Sequence, residues 1–138
     1  MAKKTHIYSI KVLDSSGTGS IAGVVAGLDH VAVDYANRDC PNGVFVNLSL
    51  GVWGFITSMD NAISSLVNDH EVFVAVAAGN NDADVYYYSP ANSPGSCTVA
   101  ATGPDDARTE WSNFGGKVAV LAPGLDILST WIGGTTVS

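Results

Sequence analysis

Apolar residues recur along the chain with three different periods, and each period points to an element. Between residues 6 and 13, Ile7, Ser9, Lys11 and Leu13 alternate with Tyr8, Ile10 and Val12, which predicts a strand. Residues 14–19 are a loop by composition. Ile21, Val24, Val25, Leu28, Val31, Ala32 and Tyr35 then repeat at helical spacing, with Ser20 or Thr18 as cap and Asn37 as stop. Cys40, Pro41, Asn42 and Gly43 form a turn ahead of a β-rich run at 44–50, and residues 51–55 make a second loop. Met59, Ala62, Ile63, Leu66 and Val67 are a second helical stripe, with Thr57 and Asp60 placed as a capping box. Residues 72–78 are apolar without alternation, as suits a strand buried on both faces of a parallel sheet. Shorter strands are predicted at 97–101, 117–121 and 127–131.

Strand, helix, strand, helix, strand in that order predicts an α/β fold. It is a three-layer arrangement, a mostly parallel sheet with helices on both faces. No repeat, linker or low-complexity segment divides residues 1–138, which read as one domain or part of one. The first strand begins almost at once and the last residues, 133–138, are loop-like, so the expectation is a piece of a longer polypeptide. In such sheets ligands bind beyond the carboxyl ends of the strands. Segments 16–19, 49–53 and 79–82 fall there, all rich in Gly, Ser and Asn.

Charge narrows the partners. Six basic residues against thirteen acidic ones give a net charge of −7, which argues against a nucleic-acid backbone as partner. The longest apolar run falls far short of the ~20 residues a membrane span needs. Cys40 and Cys97 stand alone, with no metal-binding spacing, and from the residues themselves they pair together, stay free or pair elsewhere. His6, His30 and His70 form no catalytic spacing. Asp82, Asp84, Asp105 and Asp106 read as loop-solvating residues, and Trp53, Trp111 and Trp131 as packing residues or the lining of a groove.

Asn80 follows the most apolar strand. An amide held there by a rigid scaffold is a donor preorganised for negative charge on a carbonyl oxygen; the plainer reading is a left-handed turn residue after Gly79. Ser49, Leu50 and Gly51, with Ser16, Gly17, Thr18 and Gly19, offer edges to an extended peptide, or simply punctuate loops. Residues 17–23 also make a G-x-G-x-x-x-G run where dinucleotide loops sit, but the next strand lacks the acid that would hold a ribose.

Taken together these segments resemble the subtilisin-like serine proteases, most closely the proteinase K branch. The resemblance rests on Leu13-Asp14 with Gly17-Thr18-Gly19, Cys40-Pro41-Asn42-Gly43, Asn47-Leu48-Ser49-Leu50-Gly51, Ala77-Ala78-Gly79-Asn80-Asn81, Tyr88-Ser89-Pro90-Ala91, Trp111-Ser112-Asn113-Phe114-Gly115 and Ala122-Pro123-Gly124. It implies a secreted endopeptidase acting on extended peptide or protein substrates, a monomer at full length, without nucleic-acid or membrane partners. Asn80 matches the oxyanion-hole asparagine. Gly17, Thr18 and Gly19 match one substrate-binding edge, and Ser49, Leu50 and Gly51 the other. Ala77, Ala78 and Gly79 match a pocket wall, and Ser89 and Pro90 its base. The catalytic Asp, the His-Gly-Thr motif and the Gly-Thr-Ser-Met motif would lie beyond the two ends of this stretch; Ser138 matches the loop before the last. The chain alone is therefore expected to be inactive, or a peptide-binding relative without catalysis. Cys40 and Cys97 match cysteines bonded to partners outside the stretch. No cofactor is required by the resemblance. It implies a structural calcium site through the carbonyls of Pro94 and Ser96, but with Ala119 where an aspartate is expected.

Overall fold

The computed structural model describes residues 4–130 and 136–137. Its centre is a four-stranded parallel sheet. We number the strands of the chain β1 (Phe45–Leu48), β2 (Val52–Trp53), β3 (Phe73–Ala77), β4 (Tyr88–Ser89), β5 (Cys97–Thr102) and β6 (Val120–Pro123), and the helices α1 (Ile21–Ala36) and α2 (Thr57–His70). The sheet order is β1-β3-β5-β6, all parallel, so four carboxyl ends lie along one edge. β2 and β4 pair separately and antiparallel, Val52 with Ser89 and Trp53 with Tyr88. Two short pairs of residues, Ser129–Thr130 and Thr136–Val137, form a third, antiparallel ladder. The expected Trp131 lies outside the described residues, as does Ser138.

Alternation within each strand decides which face is covered. Leu48, Val74 and Val76 are buried against Val24 and Leu28 of α1 and Met59, Ile63 and Leu66 of α2. Both helices thus lie on one face. Each such side chain contributes about 1.5–3 kcal/mol by leaving water. The opposite face carries Phe45, Asn47, Phe73, Ala75, Ala77, Val99 and Ala101, all exposed or half-buried. Phe45 is 71% and Phe73 51% exposed. This is the incomplete form of the three-layer arrangement that the sequence implies, with one helical layer in place among the described residues.

Three local expectations fail, each for a physical reason. Residues 6–13 join no ladder, and Ile7 is exposed. They lean instead on α1, where Gly27 leaves room for Val12 Cγ1 and Ile10 Cγ2. The capping box at α2 does not form: Ile56 is the cap and no side chain caps it. Asp60 accepts from Ser93 Oγ instead, a long-range bond that ties α2 to the 93–96 turn. β6 starts three residues later than expected, since Val118 N donates to the Gly115 carbonyl (3.1 Å) and holds the preceding segment in a turn.

Candidate functional site

A depression of about 460 Å³ opens at the carboxyl ends of the four parallel strands. Its floor is the small side chains Ala75, Ala77, Val99 and Ala101 of the open sheet face, and Asn47, Ser49, Asn80 and Trp111 stand at its rim. Ala77, Ala78 and Gly79 form one side of it. The position of Asn80 follows from β3. The run is core through Val76, Ala78 N donates to Val99 O (2.9 Å), and Gly79 at φ +103 turns the chain out of the sheet. Asn80 then emerges exposed at the rim. The left-handed residues here are Gly79 and Asp82, so Asn80 is not the left-handed turn residue that its chemistry also allowed.

The loop is held from behind by residues 108–114. Asn113, fully buried, takes the amide N–H of Asn81 (2.9 Å) and of Ala83 (3.1 Å) on its Oδ1. Its Nδ2 donates to the carbonyl of Ala78 (2.9 Å) and its backbone N–H to that of Gly79 (2.9 Å). Arg108 Nη1 donates to Asp82 Oδ1 (2.9 Å), so Asp82 is an ion-pair partner rather than a merely solvated residue. Asp84 caps the turn at Val85–Tyr87 by accepting from Tyr86 N (2.9 Å). The resemblance includes 111–115 without implying a role for Asn113, and no local signal singles it out, since Arg108, Thr109, Glu110 and Ser112 beside it are polar too.

Most of the other predicted residues do not line this depression. Ser49 is in it, whereas Leu50, Gly51, Gly17, Thr18 and Gly19 are not among its lining. Gly51 runs beside β4, with room for a Cβ only 3.4 Å from the Ser89 carbonyl. Ser89 and Pro90 are fully buried. Ser89 Oγ donates to the Gly54 carbonyl (2.9 Å) and accepts from Ile56 N (3.0 Å), so it fixes the 51–56 segment against β4. Trp53 is 62% exposed and stacks on Tyr87 with ring centroids 5.5 Å apart. Of the two tryptophans described at the loops, Trp111 lines the depression and Trp53 does not.

The 14–19 loop has a chemistry of its own. The Asp14 carboxylate accepts from Ser16 N (2.8 Å), Ser16 Oγ (2.6 Å) and Thr18 N (3.0 Å), while Gly17 N donates to the Asp14 carbonyl (3.2 Å). These bonds, the Ser16 hydroxyl first, hold the Asp14 carboxyl below the ordinary value of 3.8. A phosphate-cradling loop needs free amides and no carboxylate. Here three successive amides are spent on Asp14, which argues against the dinucleotide reading of 17–23. Gly17 at φ +78, and a Cβ at Gly19 that would meet the Val12 carbonyl at 2.4 Å, explain both glycines by the fold of the loop.

The calcium donor set is poor. Pro94 and Ser96 offer carbonyls, but Ala119 brings no side-chain oxygen. Among the described residues no three of His, Cys, Asp or Glu come together. Calcium takes six to eight oxygens, carboxylates among them; these residues do not fit it. Cys40 and Cys97 are half-buried and not bonded to each other.

Residues 1–137 match a family model described as the Subtilase family. Proteinase R of Parengyodontium album is 49% identical over all of this chain, which covers 35% of that protein. The cuticle-degrading protease of Metarhizium anisopliae is 46% identical, with the same coverage. Among solved structures, a cold adapted subtilisin-like serine proteinase superposes with a TM-score of 0.82 at 38% identity, over 93% of this chain and 45% of that one. The chain thus spans about a third of the length of these curated relatives.

Proposed function

The chain belongs to the subtilase family, and on that premise we propose that it forms the central part of a secreted serine endopeptidase, monomeric at full length. In this reading the reacting Asp, His and Ser lie on segments outside these 138 residues. The chain supplies the electrostatic and binding parts of the reaction. An attacking serine turns the scissile carbonyl into a tetrahedral oxyanion, and the Asn80 amide donates to that oxygen as its charge develops. Segments 17–19 and 49–51 hold the substrate backbone on either side, Ala77, Ala78 and Gly79 wall the adjacent pocket, and Ser89 and Pro90 brace its base from behind.

One observation carries this reading: Asn80 stands at the rim of a depression at the carboxyl ends of the parallel strands, on a loop fixed by a buried amide. The open floor of Ala75, Ala77, Val99 and Ala101 leaves space beside Asn80 for the reacting groups to enter. With no nucleophile and base beside it, the oxyanion donor has nothing to stabilise. The experiment compares the full-length polypeptide containing these residues with residues 1–138 alone. The full-length protein should cleave an unstructured protein and be labelled and silenced by a serine-directed phosphonofluoridate. The 138 residues should neither cleave nor be labelled. Cleavage by the 138 residues, or none by the full-length protein, contradicts the reading; peptide capture without cleavage at full length would mark a non-catalytic relative.

A further inference from the structure

We propose that Asn113 is the positioning residue for the Asn80 amide; this rests on the oxyanion reading above and names what holds that donor in place. The contacts of Asn113 are selective. Asn113 is 0% exposed. It bonds to residue 78 through Nδ2, to residue 79 through its backbone N–H, and to residues 81 and 83 through Oδ1. Residue 80 is flanked on both sides by these bonds and left untouched by them. One residue therefore fixes the peptide units on either side of Asn80, through its backbone N–H at Gly79 and its side chain at Ala78, Asn81 and Ala83, while leaving the Asn80 amide at the rim.

Asn113 is itself fixed. Ser112 Oγ accepts from Ala101 N (3.0 Å) in β5 and donates to the Asn113 carbonyl (3.1 Å). Arg108 Nη1 donates to the carbonyls of Thr109 (3.2 Å) and Ser112. The sheet thus holds Ser112 and Asn113, and Asn113 holds the Asn80 loop. A donor lowers a barrier only if it is already aimed where charge will appear, because reorientation during the reaction spends the electrostatic gain. The carboxamide is specifically suited to this. A carboxylate would keep the acceptor for Asn81 and Ala83 but set an oxygen against the Ala78 carbonyl. An alanine would leave two amides without an acceptor.

The test measures kcat and KM per titrated active site in the full-length protein for Asn113→Ala and the near-isosteric Asn113→Asp, each alone and with Asn80→Ala. Asn113→Asp serves where Asn113→Ala does not fold. The account expects kcat to fall roughly 10- to 100-fold with KM within about twofold, as for an interaction made in the transition state. It expects no further loss of kcat when Asn80 is already alanine. Asn113 variants with fewer active molecules but unchanged kcat per site would make Asn113 a stability residue only and overturn the proposal. Losses that multiply in the Asn80→Ala background would overturn it too, since Asn113 would then act elsewhere. A normal kcat for Asn80→Ala alone would overturn the oxyanion reading itself, and is thereby told apart from a failure at Asn113.

Discussion

The backbone N–H of Asn113 donates to the carbonyl of Gly79 at 2.9 Å, and a Cβ on Gly79 would lie 2.5 Å from Asn113 Nδ2. The two residues are complementary: the absence of a side chain at 79 is what lets the amide at 113 reach Ala78. Gly79 also has φ +103, a conformation that L residues adopt at a cost. Gly79→Ala should therefore destabilise the full-length protein by roughly 2–4 kcal/mol, strain and clash together. Denaturant unfolding measures this, and an unchanged midpoint would contradict the packing described.

The Asp14 carboxyl is exposed, so its effect is local order rather than global stability. Its pKa is depressed by the bonds from Ser16 and Thr18. A depressed carboxylate stabilises the loop above its ordinary value of 3.8 and loses that effect as pH falls through the lowered pKa. The amide resonances of Ser16 and Thr18 should therefore shift with a midpoint below 3.8. Asp14→Asn keeps an acceptor but loses the charge, and should abolish this titration. A midpoint at or above the ordinary value would contradict the geometry.

Much of the central sheet is legible from hydrophobic pattern, and β3 fills most of the apolar run 72–78. The expected burial on both faces does not hold among the described residues: Val74 and Val76 are covered by the helices, while Phe73 on the other face is 51% exposed. Edge segments are less legible. The alternation at 6–13 is real, yet it yields no ladder, since alternation fixes a face and not a pairing partner. Thr57 and Asp60 carry the spacing of a cap, but Asp60 finds Ser93, 33 residues away, which no local rule reveals. The exit of Asn80 from the sheet was legible from the apolar strand before it, while its role is what the resemblance implies. Asn113 was not legible, because its four bonds to the Asn80 loop all reach back 30 residues or more.

The open sheet face gives a prediction for residues 1–138 in isolation. Phe45 and Phe73 stand there with rings 5.9 Å apart, beside Ala75, Val99 and Ala101. An uncovered apolar face and a sheet edge favour association. The isolated chain should bind an environment-sensitive apolar dye and sediment as concentration-dependent oligomers. A dye-silent monomer with one sharp cooperative thermal transition would contradict this.

The central claim is that these residues donate the hydrogen bond that stabilises the developing oxyanion, and Asn80→Ala in the full-length protein tests it most directly. Steady-state hydrolysis of a peptide anilide should show kcat reduced on the order of 10²- to 10³-fold, the magnitude known for this donor in another member of the family, with KM little changed. An unchanged kcat, or a loss confined to KM, would contradict it.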